Sequence, residues 1–190
     1  MHASESRGLA SWANAITAGR LMLSPLMFWV IPDHSNGSWV AFWMWFLLCA
    51  SDGIDGYIAR RRGPTAAGAF LDPLADKVLI LGAMFTLVGI GVFWVVPVAI
   101  IAAREFVISV YRVKLAGRGV SVPAIRLGKY KTLAQQLAVG FALLPWTALD
   151  DEWLWNGMLW VAVVLALASG AQYLWRARQP IPASTPQPVA

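Results

Sequence analysis

The sequence predicts an all-α fold: a polytopic membrane protein with six transmembrane helices and both termini in the cytosol. Three observations carry that expectation. The 190 residues are 58% hydrophobic and 13% charged, with a mean hydropathy of +0.60, the balance of a chain whose helices face lipid. The apolar runs are roughly 20 residues long, enough to cross a bilayer core as helix. The charges are also one-sided. With six spans, Arg7, Arg60, Arg61, Arg62, Arg112, Lys114, Arg118, Arg126, Lys129, Lys131, Arg176 and Arg178 share the side of the termini. Asp33, Asp150, Asp151 and Glu152 fall on the other, as the excess of Lys and Arg in cytosolic loops requires.

Residues 1–13 are polar and mixed, an N-terminal juxtamembrane segment ahead of a six-helix domain over 14–178. The first apolar run carries Asn14, Thr17 and Arg20, which a cleavable signal core would avoid. The spans are read at 15–31, 38–58, 68–90, 93–115, 128–149 and 153–175. The third and fourth are ambiguous, because nothing between Lys77 and Arg104 is charged. Fusing them would put the arginines at 60–62 and the basic residues at 112–131 on opposite sides, against the charge rule. Gly89 and Gly91 supply the turn that separates them. Gly63 and Pro64 mark a short inner loop at 60–65 between the second and third spans. Residues 112–127 form a basic cytosolic segment suited to anionic headgroups. The tail, 179–190, has four prolines and no charge and reads as a disordered extension.

Of the 11 tryptophans, Trp29, Trp39, Trp94, Trp146, Trp153 and Trp155 fall near span ends on one side, where interfacial anchors sit. The one cysteine, Cys49, excludes an internal disulfide and reads as a small packing residue. A net charge of +5 that is used up by topology leaves no reason to expect nucleic acid as a partner. His2 and His34 are isolated and do not suggest metal ligands.

The chemistry lies in two aspartate pairs, Asp52 with Asp55 and Asp72 with Asp76. Their spacings, i to i+3 and i to i+4, put each pair on one face of a helix. A charge at the centre of a bilayer helix costs about 2.5–3.5 kcal/mol on insertion scales. Four clustered carboxylates also repel one another, and two divalent cations would balance them. Carboxylate oxygens suit Mg²⁺ or Mn²⁺, ions that also bind phosphate oxygens. The alternative is four unrelated acids in headgroup water. Gly56 and Ala59 leave room for a ligand against the helix backbone, or else serve close helix packing. Arg60 can pair with a phosphate, while Arg61 and Arg62 serve equally well as topology anchors.

Read without gaps, residues 52–76 carry D-x-x-D-G-x-x-A-R, a short spacer, and G-x-x-x-D-x-x-x-D. This resembles the signature of the CDP-alcohol phosphotransferases, with Asp52, Asp55, Gly56, Ala59, Arg60, Gly68, Asp72 and Asp76 at the fixed positions. NAITAGRLMLSP at 14–25, AREFVIS at 103–109 and GKYKTLAQ at 128–135 resemble segments of the family's glycerophosphate-using branch. The likeness covers about Asn14 to Ala138. It implies Asp52, Asp55 and Asp72 as ligands of two divalent cations, with Asp76 as both a ligand and the general base. It implies CDP-diacylglycerol contacts at Asn14, Thr17, Gly56, Ala59, Arg60, Thr65 and Gly68. It further implies transfer of a phosphatidyl group to sn-glycerol 3-phosphate with release of CMP, in a homodimer of a bacterial inner membrane whose site faces the cytosol.

Arg20 and Arg104 lie within apolar runs, where a cation needs a partner or a polar cavity. With Arg112, Lys129 and Lys131 they are candidates for a pocket that grips a phosphorylated acceptor. Arg104 has an alternative, a salt bridge to Glu105 or a bond to a carbonyl. Lys129 and Lys131 have another, as snorkelling anchors. Gln135 and Gln136 are placed to hydrogen-bond across helices. Rival readings keep the chemistry but change the acceptor to inositol phosphate or phosphatidylglycerol. More distant ones are an intramembrane prenyltransferase, which also grips a diphosphate, and an ion transporter, which should place its acids nearer the midplane.

Overall fold

The computed structural model describes residues 18–33, 36–62, 66–117, 126–150 and 152–178, with side chains described except at 52–62, 66–72, 126 and 149–150. Asn14, Thr17, the 63–65 turn with Thr65, and the proline-rich tail lie outside the described residues. The described residues form seven helices and no strand. They are α1 (Ala18–Val30), α2 (Trp39–Arg62), α3 (Ala66–Gly89), α4 (Val95–Ala116), α5 (Arg126–Leu143), α6 (Pro145–Asp150) and α7 (Glu152–Ala177). The all-helical expectation holds, with two changes of boundary. First, α2 runs past its expected end at Ile58 to Arg62.

Second, the fifth expected span is two helices, because α5 stops at Leu143 and Pro145 opens α6. Proline has no N–H to give to the carbonyl four residues back, that of Phe141. The Thr147 hydroxyl donates to that carbonyl instead. The Leu143 carbonyl accepts from Ser38 N at 2.8 Å, so the break is tied to the start of α2. Ser38 also caps α2, its Oγ accepting from Ala41 N at 3.4 Å.

The predicted turn between the third and fourth spans is present. Gly91 has φ +78° and donates to Val88 O at 3.0 Å, while Val92 donates to Leu87 O at 2.9 Å. This pair of bonds around a left-handed glycine is the Schellman stop. Here the glycine's missing Cβ is what the turn requires.

Helix α7 packs along α5 and α4, α3 joins α4 and α5, and α2 lies on α5. Helix α1 meets α3 where the Phe28 ring lies against Gly82, so closely that a Cβ there would stand 2.1 Å from it. The core is apolar and helix-lined, with Met27, Trp45, Leu79, Met84, Ile101, Val139 and Leu159. Cys49 packs against it as expected. Trp155 departs from expectation: it is buried against Phe93 with ring centroids 5.6 Å apart. Trp29, Trp94, Trp146 and Trp153 are exposed, as anchors should be.

Many large apolar side chains face outward. Trp29, Phe106, Val113, Val164 and Leu167 are exposed, while Arg20, Glu105, Lys131 and Gln135 are buried. That inversion fits a lipid solvent. By length and composition one described helix, α7, can cross a membrane, and Ala18–Val30 and Trp39–Ser51 are shorter apolar helices. Helix α4 falls short because it carries Arg104, Glu105, Arg112 and Lys114.

Candidate functional site

Helix α2 carries Asp52, Asp55, Gly56, Ala59 and Arg60, and α3 carries Gly68, Asp72 and Asp76. Both aspartate pairs are therefore helical, and each shares a face of its helix. Pro73 stands inside α3 between Asp72 and Asp76. Side-chain geometry is described for Asp76, which is half-buried, and not for Asp52, Asp55 or Asp72. Among the described residues no cluster of three metal-ligating side chains occurs. The donor set is nonetheless all carboxylate, the chemistry that hard divalent cations take.

The sharpest described geometry surrounds Glu105, on α4. Its Oε1 accepts from Arg104 Nη1 at 2.9 Å and from Lys131 Nζ. Glu105 is 6% exposed and Lys131 7%. Arg104 reaches further: Nε donates to the Ala166 carbonyl at 3.0 Å and Nη2 to Ser169 Oγ at 2.9 Å. Gly170 makes room for this, since a Cβ there would lie 3.2 Å from Arg104 Nε. Both alternatives raised for Arg104, the salt bridge and the carbonyl bond, are thus present together. These bonds leave Arg104 two further N–H groups and Lys131 two.

The same carboxylate residue organises a third helix. The Ser109 hydroxyl donates to the Glu105 carbonyl at 2.5 Å and accepts from Lys77 Nζ at 2.5 Å. Lys77 follows Asp76 on α3. Glu105, Arg112, Lys131 and Asp76 all lie within electrostatic range of its ammonium. Asp76 also acts on Lys131. Through Lys77 and Ser109, α3 is therefore tied to the charged group that Glu105 forms with α5.

Arg112 stands a little way off, its guanidinium 5.4 Å from the centroid of the Tyr173 ring, a cation–π distance. Lys129 is exposed. Arg20 is 2% exposed and lines a cavity of about 500 Å³ between α1 and α2 with Gly19, Leu23, Met44, Leu48 and Ser51. At Gln136 it is the main-chain carbonyl, and not the side-chain amide, that makes a cross-helix bond, accepting from Trp45 Nε1 at 3.1 Å. Gln135 Nε2 is buried with no hydrogen-bond partner among the described residues.

Sequence reasoning did not single out Lys77, Ser109, Ser169 or Gly170. The available signal was the register of α4, where Ser109 is one turn from Glu105 and can bond back to its carbonyl. Ser169 and Gly170 gave no such sign, because only the path of Arg104 across to α7 gives them a role.

The family description for CDP-alcohol phosphatidyltransferase matches residues 10–168. The chain is 35% identical over 187 residues to a probable phosphatidylglycerophosphate synthase of Mycobacterium tuberculosis, covering 91% of this chain and 84% of that one. It is 37% identical over 172 residues to the CDP-diacylglycerol--glycerol-3-phosphate 3-phosphatidyltransferase of Escherichia coli K12, covering 86% and 92%. The Bacillus subtilis protein of the same name is 39% identical over 134 residues, 68% of this chain and 69% of its own.

Proposed function

This chain belongs to the CDP-alcohol phosphatidyltransferase family, and from that premise we propose that it transfers the phosphatidyl group of CDP-diacylglycerol to sn-glycerol 3-phosphate, giving phosphatidylglycerophosphate and CMP. The observation that carries the choice of acceptor is the cation group around Glu105, with Lys131 in electrostatic range of Asp76. A phosphorylated alcohol can be gripped by charge there while its hydroxyl is presented to a carboxylate. Inositol or serine would leave those cations without an anion.

Asp52, Asp55, Asp72 and Asp76 would hold two divalent cations, Mg²⁺ or Mn²⁺, whose chemistry is to neutralise the diphosphate and the charge that develops as its bond breaks. Gly56, Ala59 and Gly68 let the nucleotide approach the helix backbone. Arg60, with Asn14, Thr17 and Thr65, completes its contacts. Arg104 and Lys131, held in place by Glu105, bind the acceptor phosphate, and Arg20, Arg112 and Lys129 stand apart from that pair.

Asp76 takes the proton of the acceptor hydroxyl as that oxygen attacks the β-phosphorus. The bond from the β-phosphorus to the bridging oxygen breaks, and CMP leaves with that oxygen. The alcohol is a poor nucleophile at neutral pH, so a carboxylate in reach of its proton is what the step needs.

The setting is a bacterial cytoplasmic membrane, crossed six times with the site on the cytosolic side, and the functional unit is a homodimer. The exposed apolar side chains support a membrane setting, and the one-sided bias of Lys and Arg along the sequence supports the orientation. The test is release of radiolabelled CMP from CDP-diacylglycerol by purified protein with a panel of acceptors. Fastest release with glycerol 3-phosphate is expected. Faster release with inositol phosphate or phosphatidylglycerol would reassign the acceptor, and no release with any alcohol would remove the reading.

A further inference from the structure

Lys77 has no place in the signature motif, yet its surroundings are those of a ligand-binding cation. Three cations, Lys77, Arg104 and Lys131, gather at Glu105, Arg104 and Lys131 on its carboxylate and Lys77 on Ser109, which is bonded to its carbonyl. Such an excess of positive charge in a partly dehydrated site calls for an anion. Adjacent residues on a helix do not face each other, so Lys77 is not simply a counter-charge to Asp76. Its side chain turns to α4, where Ser109 Oγ accepts one of its protons at 2.5 Å. An ammonium has three donors, so two remain for a ligand. Ser109 is fixed in turn by the Glu105 carbonyl.

We infer that Lys77 is a specificity-determining residue that binds the phosphate of a short phosphorylated acceptor and sets its distance from Asp76. The inference rests on the proposed transfer to glycerol 3-phosphate and deepens it. Consecutive Cα atoms are about 3.8 Å apart, and the two side chains diverge from there. An acceptor held by both must carry its hydroxyl and its phosphate a few bonds apart, as a three-carbon phosphate does. An alcohol without a phosphate lacks the group that Lys77 would hold. The phosphate therefore bridges α3 to the Arg104 and Lys131 pair, and Ser109 keeps Lys77 extended to meet it.

The test measures KM for glycerol 3-phosphate and for CDP-diacylglycerol in Lys77→Gln, Lys77→Arg and Ser109→Ala. Binding of glycerol 3-phosphate by calorimetry supplies a readout that does not depend on turnover. Lys114→Gln, at the exposed end of α4, is the control for loss of a surface charge. Losing a charge-assisted bond to phosphate should raise the glycerol 3-phosphate KM roughly ten- to hundredfold in Lys77→Gln. The CDP-diacylglycerol KM should stay within about twofold, Lys77→Arg should recover part of the loss, and Ser109→Ala should show a smaller rise. A purely structural lysine would change both KM values together or neither. If wild-type protein uses glycerol 3-phosphate and Lys77→Gln leaves its KM unchanged, the inference is overturned and the transfer reaction stands. A rise in the CDP-diacylglycerol KM alone would also overturn it, assigning Lys77 to the lipid substrate. If wild-type protein releases no CMP with glycerol 3-phosphate, the fault lies with the proposed reaction.

Discussion

Lys131 Nζ and Arg104 Nη1 donate to the same carboxylate oxygen, Oε1 of Glu105, from two different helices. One buried anion thus fixes two cations, and through Arg104 it reaches the Ala166 carbonyl and Ser169 on α7. Dehydrating these charges is costly, and the arrangement holds only while each has its partner.

Removing that anion should be severe. Glu105→Ala leaves Lys131 and Arg104 facing each other in a dry site, and breaking a buried pair from one side costs about 3–5 kcal/mol. Thermal or denaturant unfolding in detergent should show a loss of that order. The double variant Glu105→Leu with Lys131→Met should recover most of it, because Arg104 keeps its bonds to α7. A double variant no more stable than Glu105→Ala would mean that the pair is not coupled.

Much of this was legible in the sequence, and the failures have physical causes. The aspartate spacings implied helices, and both pairs are helical. Gly91 was a turn signal because a left-handed residue needs no Cβ, and it has φ +78°. The break at Leu143–Pro145 was missed because the apolar pattern continues across it. Hydropathy registers burial and does not notice a lost amide. Trp155 was taken for an anchor from its nearness to a span end, but rotation about the helix axis puts it on Phe93. Lys77 served only to mark where charge stops along α3; its role depends on Ser109, far away in sequence and adjacent in space.

Metal binding and base chemistry should separate by mutation. Asp52→Asn or Asp72→Asn should abolish turnover and weaken metal-dependent CDP-diacylglycerol binding. Asp76→Asn should abolish turnover while keeping more of that binding, since three carboxylates remain. General base catalysis contributes about 10²–10⁴-fold, so near-normal turnover in Asp76→Asn would rule out its role as base.

Topology can be read by labelling. In a Cys49→Ser background, cysteines placed at Asn36 and Asp151 should react with an impermeant maleimide from outside, and those at Gly63 and Gly119 should not. The basic residues at 112–131 should share the cytosolic side with those at 60–62. External labelling at Gly119 but not at Gly63 would place those clusters on opposite sides and remove the cytosolic site.

Gly170 offers a test in which two effects oppose each other. Replacing a helical glycine by alanine stabilises a helix by about 0.8–1.0 kcal/mol, and Gly157→Ala, with nothing within 4 Å of its Cβ, should show that gain without any kinetic change. At Gly170 the added Cβ would stand 3.2 Å from Arg104 Nε, closer than ordinary van der Waals contact, so the guanidinium must shift by a few tenths of an ångström. The bond to Ala166 and the seat on Glu105 then loosen. A hydrogen bond to a charged group is worth about 1.5–3 kcal/mol, and losing part of one outweighs the helical gain. Gly170→Ala should therefore be no more stable than wild type, and it should raise the KM for glycerol 3-phosphate by up to about tenfold with that for CDP-diacylglycerol unchanged. If Gly170→Ala behaves like Gly157→Ala in both stability and kinetics, the position of Arg104 against α7 does not matter to the acceptor, and Arg104 serves the fold alone.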